Sequence, residues 1–318
     1  MRKLLLALAL SLAAASALAQ SFPSQPVRVV VPFPPGGSAD VLARILQPKL
    51  AEIWSQPVVI ENKPGASANI GAAFVAKSAP DGYTMLLGTP ALAVSAAVFT
   101  KLTYSAQRDL APVAMLSVFP SVLVVHPSLP VRTPQELVQY AKANPNKLNF
   151  ASAGTTSAIR FAFEHLAQIT GMKAVHVAYK GSAPSTQAML AGESHTMMMT
   201  LVDALPHIKS GQLRALAATT INRIPDLPDL PTLAETLAPG FDYIIWHGLF
   251  VPAGTPAAVV AKLNRDVNAV LGQAEVRARL TGLGMEVRPG IPDSLGDLVR
   301  AEIKKWTEVG RVANIKVE

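Results

Sequence analysis

The sequence contains no cysteine. Disulfides, thiolate catalysis and cysteine-ligated metals are therefore excluded, and the fold must rely on its core. Charge is sparse: 15% of residues are Asp, Glu, Lys or Arg, and the basic ones are scattered without the runs that nucleic-acid binders carry. The Gly-Lys-Ser/Thr phosphate loop, a true GxGxxG and HExxH are all missing. Nucleotide and zinc-protease chemistry are not expected, and no cofactor or metal is implied. No apolar run after the first twenty residues is long enough to span a bilayer.

What is present points to a folded α/β protein. Half of the 318 residues are apolar, which excludes disorder, and the 26 Pro and 20 Gly follow no fixed period, which excludes repeat arrays. At about 150 residues per domain the length suggests two domains. The start is different in kind. Arg2 and Lys3 precede an apolar stretch from Leu4 to Leu18, and Ala17-Leu18-Ala19 has the small-x-small pattern of a signal-peptidase site. Residues 1–19 are expected to be a secretory signal, leaving a soluble periplasmic chain from Gln20. Loss of Arg2 and Lys3 lowers the formal charge from +7 to +5, a mild bias toward anionic ligands.

Short β-branched runs alternate with helical patterns along the mature chain. Strands are expected at Val27–Val31, Val58–Ile60, Thr84–Leu87, Val122–Val125, Leu148–Ala151, Ala174–Val177, Thr196–Met199, Leu213–Ala218 and Tyr243–Val251. Helices are expected at Val41–Ile53, Ala68–Lys77, from Thr133, at Thr156–Thr170, from Thr255-Pro256 to about Leu271, and at Ser294–Val309. Thr133-Pro134-Gln135-Glu136 fits a capping box with proline at the first helical position. The alternation implies largely parallel sheets. Leu102–Pro112 and the proline-rich Ile224–Pro231 read as irregular connections. The chain after Ile224–Pro231 has no complete sheet of its own. Residues 20–121 with 244–318 are therefore expected to form one domain, and 122–243 the other.

One arrangement occurs twice. Val27–Val31 runs into Pro32-Phe33-Pro34-Pro35-Gly36-Gly37-Ser38-Ala39-Asp40 and a helix; Asn149-Phe150-Ala151 runs into Ser152-Ala153-Gly154-Thr155-Thr156-Ser157 and another. A strand, a tight turn of glycine and hydroxyl residues and a helix N-terminus present free backbone N–H groups and the positive end of a dipole to an anion. One such loop is commonplace; two in two domains can face each other across a cleft. Gly36-Gly37-Ser38-Ala39-Asp40 approaches the GxSxG nucleophile motif but has Asp at its last position. The six histidines fall in no triad pattern, and Met197-Met198-Met199 reads as a buried strand.

The motif PVRVVVPFPPGGSAD, Glu61-Asn62-Lys63-Pro64-Gly65, Pro80-Asp81-Gly82-Tyr83-Thr84, Ala178-Tyr179-Lys180-Gly181, LPHIKSGQLRAL and Gly248–Pro256 occur in order along the whole mature chain. The ordered set resembles the Bug receptors, the extracytoplasmic solute-binding proteins of tripartite tricarboxylate transporters. The resemblance implies an α/β, two-domain type II periplasmic-binding-protein clamshell with a ligand cleft between the domains. It implies a non-enzymatic, monomeric receptor that holds a small organic carboxylate and delivers it to membrane transporter subunits. Carried over by position, the ligand loops are Phe33, Gly37, Ser38, Ala39 and Asp40, and Ala153, Gly154, Thr155, Thr156 and Ser157, with Thr89 and Tyr179 as further pocket members. Asp40 is expected to support its loop, because a carboxylate facing an anion would repel it. Ile159-Arg160 and the stretch from His195 to Thr200 depart from the family pattern, which implies a different far end of the pocket. An exported α/β hydrolase using Ser38 with a histidine, and a binding subunit of a sensor, stay open as alternatives.

Overall fold

The computed structural model describes residues 22–317; the signal-peptide reading of residues 1–19 lies outside them. Strand β1 (Val27–Val31) is a run of valines interrupted by Arg28, and every residue but Arg28 is buried. Helix α1 (Ser38–Trp54), β2 (Val58–Asn62), a single 3-10 turn at Ala66–Ala68, α2 (Asn69–Ala76), β3 (Thr84–Gly88) and α3 (Pro90–Val98) follow. The middle of the chain holds α4 (Pro134–Ala143), β5 (Asn149–Ser152), α5 (Ala158–Thr170), β6 (Val175–Ala178), α6 (Ser182–Leu190), β7 (Thr196–Thr200), α7 (Leu201–Lys209), β8 (Arg214–Ala218) and α8 (Leu233–Thr236). The chain closes with β9 (Ile244–Pro252), α9 (Ala257–Gly272), α10 (Ala274–Gly282), β10 (Glu286–Val287) and α11 (Pro292–Val312).

The two halves are joined by one long strand, β4 (Leu110–Val125). Its residues 110–120 pair with β9, and its residues 121–125 pair with β7 and β8. The strand order β2-β1-β3-β9-β4-β7-β5-β6 therefore runs through both lobes of a clamshell. The expectation of largely parallel sheets is corrected. Pairs β1/β2, β1/β3, β5/β6 and β5/β7 are parallel, but β4, which runs from one lobe into the other, and β9, on which the chain returns to the first lobe, pair antiparallel with their neighbours. A strand that returns from the second lobe arrives pointing the other way.

The irregular reading of Leu102–Pro112 is also corrected at its end, because β4 begins at Leu110. Pro112 and Pro120 disguise the strand. Proline cannot donate to a ladder and so sits at bulges and edges. Here the register with β9 slips just after Pro112, and Pro120 ends that pairing before Ser121 takes up the second lobe's partner. The capping box at Thr133 is half formed: Thr133 Oγ1 accepts from the Glu136 amide at 3.1 Å, but Glu136 turns to the Arg132 amide. A complete box lies instead at Thr232, whose partner is Glu235. Helices α3, α6, α7, α8 and α10 and strand β10 are not among the expected elements. Short segments of small residues such as α3 and α6 carry little apolar periodicity.

Apolar packing covers both faces of the first lobe's sheet, with Leu42, Leu46 and Leu249 on one side and Leu86, Trp246 and Val299 on the other. The second lobe closes around Leu123, Phe150, Phe161 and Met198. Met197, Met198 and Met199 are buried in β7, as the strand reading expected. Helix α11 serves both lobes: Leu295 and Val299 lie in the first lobe's core, and Trp306 and Val309 in the second's. Ile224–Pro231 is irregular, with buried Ile224 as its anchor. Among the described residues no helix is long and apolar enough to cross a membrane.

Candidate functional site

The first loop leaves β1 and turns at Gly36, whose φ of 87° favours glycine. Its shape is held from behind by Asp40, which is 2% exposed. The Gly36 amide and Arg44 Nε donate to Asp40 Oδ2, each at 2.9 Å, and Asn62 Nδ2 donates to Oδ1 at 2.9 Å and to the Phe33 carbonyl at 3.1 Å. Burial opposes ionisation of Asp40, but the Arg44, Gly36 and Asn62 hydrogen bonds outweigh it and hold the carboxyl down at about 2. Asp40 stays charged and serves the loop, as its position in the sequence suggested.

The second loop leaves β5 and turns at Gly154 (φ 148°). Ser152 Oγ donates to the Gly154 carbonyl at 2.9 Å and meets His176 Nε2 at 2.7 Å. Burial, aided by the charge of Arg160, pushes His176 down to about 4, so its ring is neutral. Ser157 caps α5 by accepting the Arg160 amide. Arg160, the residue that departs from the family pattern, donates through Nη1 to the Thr155 carbonyl at 2.8 Å and braces the loop. His195, the other departure, accepts the Asn149 amide on Nδ1 at 2.9 Å, which secures the start of β5.

The two loops face each other across a cavity of about 750 Å³ between the lobes. Phe33, Gly37, Ser38 and Ala39 line it from one side and Ala153 to Ser157 from the other, with Thr89 between them. Asp40 and Tyr179 are not among the lining residues. Tyr179 instead directs its hydroxyl to Ser194 Oγ at 3.2 Å, and its amide donates to the Ser152 carbonyl. Tyr179 therefore stands behind the lining, with its side chain engaged by Ser194.

Sequence reasoning missed three parts of the wall. Ser67 comes from the 3-10 turn, Lys180 to Pro184 from the turn before α6 and its start, and Ile245 and His247 from β9 with Tyr243 just before it. The second of these carried a readable signal, since β6, Tyr179-Lys180-Gly181 and α6 repeat the strand–turn–helix pattern of the two loops. The third carried none locally. Alternate residues of a strand share a face, but only the pairing of β9 with β4 turns that face toward the cleft.

Four helices begin at this cavity. The first residues of α1 (Ser38), α3 (Pro90), α5 (Ala158) and α6 (Ser182) all line it. Each contributes a positive dipole end, and the helices that begin at Ser38, Ala158 and Ser182 also contribute unpaired N–H groups, whereas α3 begins with a proline and has its next two amides bonded to Thr89. Thr89 and Ser157 cap two of these helices through their side chains. Lys180 is the one lysine or arginine lining the cavity among the described residues, and no carboxylate lines it among them. The arrangement is suited to an anion.

Ser38 and His247 also meet here, with Oγ to Nε2 at 3.4 Å. The third group is the hydroxyl of Ser117, 3.2 Å from His247 Nδ1, rather than a carboxylate. Burial pushes His247 down to about 3, far from the range in which a general base works near neutral pH. The pair does not make a hydrolase triad.

The comparisons agree with this geometry. The model of the tripartite tricarboxylate transporter family receptor matches residues 42–315. The protein BugT of Bordetella pertussis is 35% identical over 307 residues, covering 96% of this chain and 94% of BugT. An R. palustris protein solved with adipate superposes with a TM-score of 0.81 at 36% identity, over 93% of this chain and 99% of that one. MatC from Rhodopseudomonas palustris, solved with bound malate, gives 0.79 at 37% identity, over 91% and 99%.

Proposed function

This chain belongs to the tripartite tricarboxylate transporter receptor family, and from that premise we propose that it captures a small organic carboxylate between its two glycine- and hydroxyl-rich loops. The observation that carries the reading is the convergence of four helix N-termini and Lys180 on one cavity between the lobes. Each loop supplies part of the anion's hydrogen bonds, so the closed state gains contacts that an open state lacks. The adipate and malate in the R. palustris neighbours support a carboxylate as the ligand class.

In this reading the receptor binds its ligand without transforming it and presents it to the membrane subunits of a transporter. It acts as a monomer in the periplasm after cleavage near Ala19. Residues 20–121 with 244–318 form one moving body and 122–243 the other, with the boundary inside β4. Thermal unfolding with mono-, di- and tricarboxylates and their amides tests it. A ligand at 100 times its dissociation constant adds about 2.7 kcal/mol to stability. Shifts are expected only with a free carboxylate, and the acid should be recovered unchanged. Equal shifts from acid and amide would reject the reading. N-terminal sequencing of the exported protein should begin at or near Gln20.

A further inference from the structure

The cleft continues beyond the anion loops. A second chamber of about 590 Å³ adjoins the first, and Ser38, Ile159, Ser182 and Ile245 line both. Its remaining wall carries Gln187, Asp203 and His207. Asp203 stands in the first turn of α7 and accepts from Thr200 Oγ1 on Oδ2 at 2.6 Å. A negatively charged side chain in the first turn of a helix interacts favourably with the helix dipole. The positive end of α7 is therefore already answered by this chain's own acid. Among the described residues no lysine or arginine lines this second chamber, and Asp203 is its one carboxylate. His207, on the same helix, engages Gln212 Oε1 through Nδ1 at 2.9 Å.

The side-chain charge along the cleft is thus asymmetric, with Lys180 in the first chamber and Asp203 in the second, while the N-termini of α1 and α6 at Ser38 and Ser182 border both. A ligand long enough to span both would place one carboxylate at the loops. A second carboxylate at the far end would face Asp203 with no lysine or arginine to offset it. A donor there would find acceptors that include the Asp203 carboxylate and the Gln187 amide oxygen. We propose that the ligand is a monocarboxylate whose far end is a hydrogen-bond donor, an amine or a hydroxyl, and that Asp203 selects for it. This rests on the carboxylate reading above.

Calorimetric titration of the mature protein with ω-amino, ω-hydroxy and dicarboxylic acids of four to eight carbons tests the proposal. At the best length the amino or hydroxy acid should bind more tightly than the dicarboxylate by about two- to five-fold, the range of a part-exposed ion pair. Asp203→Asn should erase that preference and Asp203→Lys should reverse it. Thr200→Val removes the hydrogen bond to Asp203 but keeps the charge, so the preference should survive. A dicarboxylate that binds more tightly to the unaltered protein, or a preference unmoved by Asp203→Lys, would overturn the proposal. No heat from any acid would instead overturn the carboxylate reading itself.

Discussion

The hydroxyls of Ser67 and Thr156, 89 residues apart in the chain, share a hydrogen bond across the cleft. Ser67 belongs to the first lobe and Thr156 to the glycine- and hydroxyl-rich loop of the second, and both line the cavity between the lobes, so the bond ties the lobes there. Its first-lobe end stands on an unusual backbone. Ala66, Ser67 and Ala68 have φ of 46°, 56° and 75°, three consecutive side-chain-bearing residues in the left-handed region. Left-handed backbone costs roughly 1–2 kcal/mol per L-residue. The surrounding contacts hold the turn in place and aim Ser67 at its partner.

A double-mutant cycle of Ser67→Ala and Thr156→Val should therefore show coupling of about 0.5–1.5 kcal/mol in urea unfolding, the net worth of one hydrogen bond. Strict additivity would mean that the bridge contributes nothing to the native state. Ala68→Gly relieves one strained position and should raise the melting temperature by about 2–4 °C for a gain of about 1 kcal/mol.

Gly37 offers a clean test of the backbone clamp. Its φ of −76° already suits proline, so Gly37→Pro deletes the amide donor without forcing that torsion. The variant should unfold near the temperature of the unaltered protein and lose the stabilisation that a bound carboxylate gives. A folded variant with undiminished ligand shifts would remove the first loop's amide from the mechanism.

Asp40 predicts a dependence on acid. Its carboxyl ionises at about 2 in the folded chain against 3.8 ordinarily. The stability it contributes is complete above pH 3.8 and is lost as pH falls through about 2. Asp40→Asn should cost roughly 2 kcal/mol at neutral pH. The gap between the two proteins, measured by urea unfolding, should narrow toward pH 2.

Glu302 predicts the opposite slope. It lies on α11, 3% exposed, and accepts from Trp246 Nε1 of β9 at 2.8 Å. Burial raises it from 4.5 to about 7, with Asp242 adding to the rise and Lys305 and the Trp246 hydrogen bond opposing it. The folded chain holds this proton more tightly than the unfolded one, so stability is full below pH 4.5 and declines as pH rises through about 7. Glu302→Gln should flatten that decline, worth roughly 3 kcal/mol at most. If unfolding free energies of the two proteins run parallel from pH 5 to 8, Glu302 does not titrate there.

The alternation of strands and helices, the two glycine- and hydroxyl-rich loops and the hydrogen bonds by which Asp40 supports the first are all legible in the sequence, because each is written in adjacent residues. Gly36 and Gly154 mark turns and β-branched runs mark buried strands, whereas the helix expected from Thr156 starts two residues later, after its cap Ser157. Prolines at 112 and 120 hide most of β4, since a local rule demotes a strand that contains them while the real strand uses them at a bulge and at a change of partner. Tyr179 misleads for a related reason. Its place in a loop beside the site is local, but its engagement with Ser194 depends on how the second lobe packs.

Local sequence thus determined where the chain turns, where its helices begin and which backbone groups are left free for an anion. Which of those free groups share one cavity was decided by tertiary structure. The pairing of β4 with β9 brings His247 to Ser38, 209 residues away, and Ser67 to Thr156. It also places Asp203 on a chamber that opens from the anion loops. Those meetings depend on long-range strand pairing and on the side chains buried beneath it, and no window of neighbouring residues contains both partners.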